Sequence, residues 1–449
     1  MSAVVQSDLR PRAALPLLAD SDLRRIVAFD RGAAIDAARF IAQAQALAAR
    51  LPAGCHAVNL CEDRYEFLVA FCAVVLAGQT NLLPASRAAQ AIADVLHAYP
   101  ASYALGDRTH AAQARHFELP ALASLHLDPA HAVPAIAGDH VVAIGFTSGS
   151  TGTPKANAKT WASLCASSTM NASVLGADTV ALNLVATVPP QHMYGLEMSV
   201  LLPLRSRAAI HSGQPFFPAD IAETLAATPL PRVLITTPIH LRALLRDGVM
   251  LPPLQAIVTA TAPLEPELAA DAERRFAAPV IEVFGSTETC VIAHRRTVHG
   301  EPWRLYPGVE LHPQPDGTLV QAPHFAAPTL LQDIVELLPS RQFVLRGRNS
   351  DLLEIAGKRA SLGDLNRRLL AIAGVEDGVV FALDAEGGSV GRLAALAVAP
   401  ALSEAEILAA LRGAVDPVFL PRPLRLVGAL PRNATGKLPR DALLQALRD

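Results

Sequence analysis

The segment FTSGSTGTPKANAK, residues 146–159, concentrates side chains that can bind a phosphate group. Its hydroxyls can donate hydrogen bonds to phosphate oxygens, its glycines let the backbone approach a ligand closely, and its lysines supply positive charge. The residues that we predict to form this phosphate loop are Thr147, Ser148, Gly149, Ser150, Thr151, Gly152 and Lys155. The alternative is a surface turn, because serine, threonine and glycine are ordinary loop residues.

The loop does not match the Walker pattern GxxxxGK[ST], since Pro154 precedes Lys155. The other Gly-Lys pair, Gly436-Lys437, has Pro431 where the first glycine of that pattern belongs. An ordinary P-loop NTPase is therefore disfavoured.

Around the loop, short β-branched runs alternate with helix-like segments. The strand candidates are residues 141–146, 180–187, 232–236, 255–259 and 280–284, and the helix candidates include 160–174, 237–248 and 264–276. This alternation predicts right-handed crossovers and a largely parallel sheet. We expect the loop to connect the strand VVAIGF to a helix, where free backbone N–H groups can face a ligand.

The predicted fold class is α/β, with a large N-terminal domain of mostly parallel sheets and helices and a small mobile α+β domain at the C-terminus. The first 140 residues fit the same alternation, with helices at 35–49 and 67–78. After Gly347 the pattern changes, and two helices begin with the capping-box spacings Ser361/Asp364 and Ser403/Glu406. We place the domains at residues 1–348 and 349–449.

The composition excludes several classes of protein. Lysine and arginine total 38 against 41 acidic residues, a net charge of −3, so no global field favours nucleic acid or an anionic membrane. The longest apolar run, residues 67–78, is shorter than the roughly 20 residues of a membrane-spanning helix. No secretion signal is recognisable at the start. We expect a cytoplasmic protein without a membrane span, as a monomer or homodimer.

The five cysteines are never spaced as CxxC, which argues against a zinc site or a disulfide framework. We predict reduced core residues. They are Cys55, Cys61, Cys72, Cys165 and Cys290.

Five motifs in order resemble the adenylate-forming superfamily of acyl- and aryl-CoA synthetases, nonribosomal peptide synthetase adenylation domains and luciferases. They are TSGSTGTPK at 147–155, VFGSTE at 283–288, LQDIVEL at 331–337, GRNSDLLEIAGKR at 347–359 and PRNATGKLPR at 431–440. The resemblance covers nearly the whole chain. It implies that ATP and Mg²⁺ activate a carboxylic acid as an acyl-adenylate, which then passes to the thiol of CoA or of an acyl carrier protein.

The resemblance also implies roles for single residues. Residues 147–155 would clamp the β- and γ-phosphates, Thr287 would contact the α-phosphate, and Glu288 would bind the metal ion. Phe284 stands where tyrosine is usual and would stack on adenine next to Gly285. These roles suit a reaction that depends on positioning and on neutralising phosphate charge.

Asp333 and Arg348 would hydrogen-bond the ribose hydroxyls. Lys437, in the smaller domain, would bridge the incoming carboxylate and the α-phosphate during adenylation. The resemblance implies that this domain rotates before thioester formation. Ser350 occupies the position where a hinge aspartate or lysine is common, so the hinge residue is left open.

Two segments resemble the part of the family that binds the acid: PPQHMYGLEMSV at 189–200 and VTATAPL at 258–264. The implied substrate-binding residues are His192, Met193, Gly195, Ala260, Thr261 and Ala262. His192 would stand near the carboxylate and could gate the site. No aspartate lies within 189–200, which disfavours α-amino acids, and the bulk of Thr261 favours a short, flat or aromatic acid.

Lys159 and Trp161, just after the loop, are also similar to ligases of aryl-polyene and xanthomonadin-type pigment pathways, which load an acid onto a carrier protein. Two other functions stay open. One is a non-catalytic nucleotide-binding member of the fold, and the other is a luciferase-type enzyme that uses oxygen. The presence of Lys437, Glu288 and Asp333 favours the ligase.

Overall fold

The computed structural model describes residues 13–106, 115–147, 155–314, 317–325, 327–348, 352–355, 358–384, 390–433 and 438–448. Described residues within 1–300, 305–309 and 322–326 form one compact unit, and those within 301–304, 310–321 and 327–449 form a second. The second unit thus includes residues before position 349. The domain boundary drawn from the sequence stays a prediction.

The first unit is built from alternating strands and helices. Its helices are α1 (Ala37–Ala48), α2 (Arg64–Leu76), α3 (Ala89–Ala98), α4 (Trp161–Leu175), α5 (Met193–Leu196), α6 (Leu202–Arg205), α7 (Pro218–Ala227), α8 (Pro238–Asp247) and α9 (Pro266–Phe276). Its strands are β1 (Leu15–Pro16), β2 (Ile26–Asp30), β3 (Ala33–Asp36), β4 (His56–Asn59), β5 (Thr80–Leu83), β6 (Ser102–Gly106), β7 (His116–Glu118), β8 (Ala135–Ile136), β9 (Val141–Thr147), β10 (Lys155–Thr160), β11 (Asn183–Ala186), β12 (Ala209–His211), β13 (Arg232–Thr236), β14 (Ala256–Thr259), β15 (Val280–Ser286) and β16 (Cys290–Arg295). A π-helical turn, Glu197–Leu201, joins α5 to α6.

Two sheets dominate this unit. The first has the order β10-β9-β5-β4-β6-β7, and the second contains the run β16-β15-β14-β13-β11-β12-β2-β3. The inner pairs of both are parallel, whereas β9–β10, β15–β16 and β2–β3 are antiparallel. Mostly parallel sheets with helices between the strands confirm the predicted α/β class.

Helix α2 lies in the interior, in contact with β4 and β5 of the first sheet and β12 of the second. Most of its residues are buried, which confirms the buried helix expected from its apolar run. The side chain of Asp63 caps it by accepting from the N–H groups of Tyr65 and Glu66 at 2.8 and 3.0 Å. Within the described residues, no helix is long and apolar enough to span a membrane.

The expected strand-to-helix setting of the phosphate loop is wrong. An additional strand, β10, follows the loop and pairs with β9 before α4 begins. The loop therefore closes a β-hairpin, and the helix begins only after Thr160, whose side chain caps it through the N–H of Ser163 at 3.2 Å.

The second unit is mainly antiparallel. Its strands are β17 (Trp303–Leu305), β18 (Glu310–Gln314), β19 (Gly317–Gln321), β20 (Thr329–Leu331), β21 (Asp333–Leu338), β22 (Gln342–Arg348), β23 (Leu352–Ile355), β24 (Lys358–Ser361), β25 (Asp377–Asp384), β26 (Val390–Val398) and β27 (Leu424–Leu426). Its helices are α10 (Leu362–Leu370), α11 (Glu404–Ala414) and α12 (Arg440–Arg448). The pairs β18–β19, β21–β22, β23–β24 and β25–β26 are antiparallel.

Two smaller expectations have different outcomes. The capping box at α11 is confirmed, because Ser403 and Glu406 exchange backbone-to-side-chain hydrogen bonds of 2.8 and 3.3 Å. The side chains of Ser361 and Asp364 lie outside the described residues. Of the cysteines, four are buried as predicted, but Cys55 is exposed, so its assignment to the core is wrong.

Candidate active site

A small cleft in the first unit, with an accessible volume of about 20 Å³, is lined by three segments that the sequence singled out. These are the end of β9, the segment around His192, and Thr287. The residues that line this cleft are Leu83, Pro84, Ala85, Gly145, Phe146, Gln191, His192, Met193 and Thr287. Several of them follow the carboxyl ends of parallel strands, which is where α/β folds bind ligands.

The phosphate loop begins at the edge of the cleft. Thr147 and Lys155 are direct cross-strand partners in the hairpin, so the two ends of the loop are adjacent. Ser148, Gly149, Ser150, Thr151 and Gly152 lie outside the described residues. Lys155 is exposed, and its ammonium makes no hydrogen bond or ion pair with another described residue.

Phe284 and Gly285 lie near the end of β15, and Thr287 and Glu288 form the turn that follows. Position 285 requires glycine, because a Cβ there would overlap the carbonyl oxygen of Cys290. Thr287 is close to β9, since a Cβ on Gly145 would lie 2.9 Å from the Thr287 methyl carbon.

The carboxylate of Glu288 is half-buried. It makes no hydrogen bond or ion pair with another described residue. It is therefore available to bind a cation.

The segment that contains His192 is held tightly against the second sheet. His192 directly precedes α5 and is half-buried. Met193 is buried, and the Tyr194 hydroxyl donates to the carbonyl of Val258 in β14 at 2.9 Å. Gly195 approaches the preceding turn so closely that a Cβ would overlap the Pro189 carbonyl oxygen. Only glycine fits this turn.

A fully buried arginine supports the same segment from beneath. Arg64 Nη2 donates to the carbonyls of Ala186 and Val188, both at 2.8 Å, and Nη1 donates to Ser199 Oγ at 2.6 Å. Burial lowers the pKa of Arg64 to about 9, and the nearby Asp63 carboxylate opposes this shift. The guanidinium is thus still charged at neutral pH.

Ala260, Thr261 and Ala262 follow β14. Thr261 has φ +80°, which is a strained conformation for a β-branched side chain. Its hydroxyl oxygen is buried without a hydrogen-bond partner in the described part of the chain. Strain together with an unsatisfied hydroxyl makes this position a candidate functional residue.

In the second unit, Asp333 and Arg348 are opposite each other across the antiparallel pair β21–β22. The register therefore places the main chain of these two residues, to which the sequence assigned the ribose, side by side. The Arg348 side chain lies outside the described residues. The backbone of Asp333 is fixed by the Thr318 hydroxyl, which donates to its carbonyl at 2.7 Å. Lys437 and Ser350 lie outside the described residues.

Sequence reasoning missed three residues that contact or support the cleft. The first is Gln191, which lines the cleft and has a buried amide oxygen without a partner among the described residues. The other two are Lys159 and Glu197, which are buried beneath Thr287 and Glu288. The only available signal was a charged residue within a mostly apolar segment, as at Glu197.

Burial also sets the protonation of this region. It raises the pKa of the Glu197 carboxyl, while hydrogen bonds from Ser167 and Val291 and the charge of Lys159 act in the opposite direction. Burial raises the pKa of the Cys290 thiol to about 12. Cys290 is therefore a protonated thiol at neutral pH and a poor nucleophile.

Comparison with known proteins agrees with this geometry. The chain matches the AMP-binding enzyme family over residues 19–312. It is 32% identical over 320 residues to the 4-coumarate–CoA ligase of Halorhodospira halophila, covering 68% of this chain and 77% of that protein.

Solved structures share the fold. ATP-bound MatB from Rhodopseudomonas palustris has a TM-score of 0.80 at 20% identity, over 95% of this chain and 97% of that chain. O-succinylbenzoate coenzyme A synthetase (MenE) from Bacillus subtilis, in complex with ATP and magnesium ion, has a TM-score of 0.80 at 18% identity, over 93% and 96%.

The family match and the similarity to a CoA ligase confirm the resemblance to the adenylate-forming superfamily that the motifs indicated. The chain belongs to the AMP-binding enzyme family.

Proposed function

We propose that this enzyme uses ATP to convert a carboxylic acid, aryl or short acyl, into a thioester. In the first step a carboxylate oxygen attacks the α-phosphorus of ATP, and pyrophosphate leaves. In the second step the sulfur of an acceptor thiol attacks the acyl carbonyl, and AMP leaves. The acceptor is CoA or the phosphopantetheine of a carrier protein.

The observation that carries this proposal is the cleft shared by Phe146, His192 and Thr287. These residues come from three separate motifs, yet their side chains surround one space. Adenylation needs a carboxylate and a phosphate to meet, and positioning of this kind supplies much of the rate enhancement. A chance resemblance of motifs would not be expected to place them around one cavity.

For the nucleotide, we assign the triphosphate to residues 147–155 and the α-phosphate to Thr287. Glu288 fits magnesium, because Mg²⁺ prefers one or two carboxylates together with phosphate oxygens and water, and its carboxylate has no partner among the described residues. When bound, the ion would neutralise phosphate charge.

Phe284 and Gly285 are assigned to the adenine, and Asp333 with Arg348 to the ribose. The cross-strand position of Asp333 and Arg348 supports the ribose assignment, since one offers acceptors and the other donors. Lys437 is assigned to the adenylation step, where its ammonium would strengthen its contact as charge develops.

The acid is assigned to the segments that contain His192 and Thr261. Similarity to a 4-coumarate–CoA ligase supports an aryl acid. The absence within 189–200 of an aspartate that could bind a substrate ammonium also supports it. The same relative's name supports CoA as acceptor. A carrier protein is supported by the similarity around Lys159 to pigment-pathway ligases. We place the reaction in the cytoplasm.

The decisive measurement is acid-dependent exchange of pyrophosphate into ATP across benzoates, cinnamates and fatty acids. Mass spectrometry of products with CoA and with a carrier protein then identifies the acceptor. A non-catalytic member of the fold would show no exchange with any acid, and a luciferase-type enzyme would require oxygen rather than a thiol.

The substitution Lys437→Ala is expected to abolish this exchange, by more than about a hundredfold, while leaving thiolysis of a supplied acyl-adenylate intact. The matched control is Lys358→Ala, in the same domain but outside the proposed roles. Normal exchange by Lys437→Ala would overturn the assignment of that lysine.

A further inference from the structure

Buried side chains hold the turn that carries Thr287 and Glu288, at Glu288 and at positions after it. Lys159 Nζ donates to the Glu288 carbonyl at 2.6 Å, and His324 Nε2 donates to the Thr289 carbonyl at 2.9 Å. The N–H of Val291 donates to both carboxylate oxygens of Glu197, at 3.2 and 3.1 Å. The main chain of the turn is thus fixed at three positions, 288, 289 and 291.

Strand β10 explains how an ammonium reaches this turn. Lys155 and Lys159 are four positions apart, and they pair with Thr147 and Ala143 of β9. Even spacing puts both lysines on the same face of the sheet. Gly145, which pairs with the residue between them, lines the cleft on that face. Strand β10 therefore carries two ammonium groups. That of Lys155 is exposed next to the phosphate loop, and that of Lys159 is buried and bonded to the Glu288 carbonyl.

The buried ammonium of Lys159 shares the interior with a buried carboxylate, that of Glu197. Lys159 is only 7% exposed, and Glu197 is 1% exposed. Glu197 accepts hydrogen bonds from Ser167 Oγ at 2.5 Å and Asn171 Nδ2 at 3.2 Å. Burying a lone lysine is costly unless a nearby charge compensates it. The charges of Lys159 and Glu197 act on each other, and the burial of Lys159 shows that it is not a solvated surface charge.

The hydrogen bond from the Lys159 ammonium to the Glu288 carbonyl restrains the main chain of the turn. Rotation of the peptide group between Glu288 and Thr289 would change the main-chain geometry of the turn that carries the Glu288 carboxylate and the Thr287 hydroxyl. The bond from Lys159 opposes that rotation, because a buried charged donor that loses its acceptor is strongly destabilised.

We propose that Lys159 is a positioning residue which, through the Glu288 carbonyl, orients the Glu288 carboxylate and the Thr287 hydroxyl toward magnesium-bound ATP. This role rests on the proposed function. Lys159 does not touch the nucleotide itself and acts through Glu288.

The test compares Lys159→Met, Glu197→Gln and the double variant by calorimetric titration and thermal melting. Each protein is titrated with ATP plus Mg²⁺ and with ATP plus EDTA. We expect Lys159→Met to weaken binding of Mg²⁺–ATP by roughly tenfold or more, while binding of metal-free ATP changes by less than about threefold. The loss of affinity should be confined to Mg²⁺–ATP, because Lys159 acts through Glu288, the residue assigned to the metal ion.

The double variant shows whether Lys159 positions the turn for Mg²⁺–ATP or only stabilises the folded protein. Removing the charge of Glu197 removes the unpaired carboxylate, so the double variant should regain much of the melting temperature lost in Lys159→Met. It should not regain affinity for Mg²⁺–ATP. If Lys159→Met does not fold, the double variant alone provides the titration.

Two results would overturn the proposal. Either Lys159→Met binds Mg²⁺–ATP like the wild type, or the double variant regains stability and affinity together, which would show a purely structural lysine. A wild-type protein that neither binds Mg²⁺–ATP nor exchanges pyrophosphate would instead defeat the proposed function, and this role with it.

Discussion

Two stretches of main chain line the cleft, and each is held by one buried cation, but in different ways. The stretch from Ala186 to Ser199 is held by Arg64, whose planar guanidinium bonds three acceptors. The turn from Ser286 to Val291 is held by Lys159 through one carbonyl, with His324 and Glu197 at the next positions.

The difference follows from the chemistry of the two cations. A guanidinium is a rigid fork that fixes several acceptors at once, whereas an ammonium is a point charge on a flexible chain. The acid segment is therefore built as one rigid piece, with Gly195 packed against Pro189. The nucleotide turn depends on several separate contacts, each of which can be removed alone.

The largest effect is expected from Arg64→Met. This substitution leaves two buried carbonyls and one hydroxyl without their donor, so the free energy of unfolding should fall by about 3 kcal/mol or more. Denaturant unfolding measures it. Arg24→Met is the control, because the Arg24 side chain is 94% exposed, and it should change stability by less than about 0.5 kcal/mol. Equal losses in the two variants would contradict the bracing role of Arg64.

A smaller effect is expected from Tyr194→Phe, which removes the hydrogen bond to Val258. The free energy of unfolding should fall by about 1 kcal/mol, and KM for the acid should rise because the segment around His192 loses its tether. Tyr103→Phe removes a comparable buried bond to Gln79 at 2.8 Å. It should cost similar stability without affecting KM, so a matching KM change in both variants would refute the tether.

The smallest effect is expected in the pH dependence of the free energy of unfolding. Burial lowers the pKa of His324, against the opposing effect of its bond to Thr289. The unfolded chain therefore takes up more protons than the folded protein as pH falls below about 6.5, and stability decreases with acidification. His324→Gln should reduce this slope by at most about 1.4 kcal/mol per pH unit. Unfolding measured from pH 7 to pH 5 tests it, with the same substitution at the exposed His299 as the matched control.

The sequence predicted the parallel strands, the buried helix α2 and the motif segments, because local periodicity and residue type decide them. It did not predict β10, since the only apolar residues of KANAKT are two alanines, which have low strand propensity, and the segment becomes a strand by pairing with β9. Arg64 and Lys159 could not be found either. Their acceptors are more than a hundred positions away along the chain, so only the folded arrangement of the sheets shows that these charges are buried.

The pairing of β9 with β10 determines where this hairpin can accept inserted residues. Thr147 and Lys155 are direct partners across the two strands, so residues added within the intervening loop would leave both side chains on the same face. One residue inserted between Lys155 and Lys159 would instead put the two lysines on opposite faces of the sheet, since strands alternate with a period of two. Length variation at this hairpin should therefore be restricted to its tip.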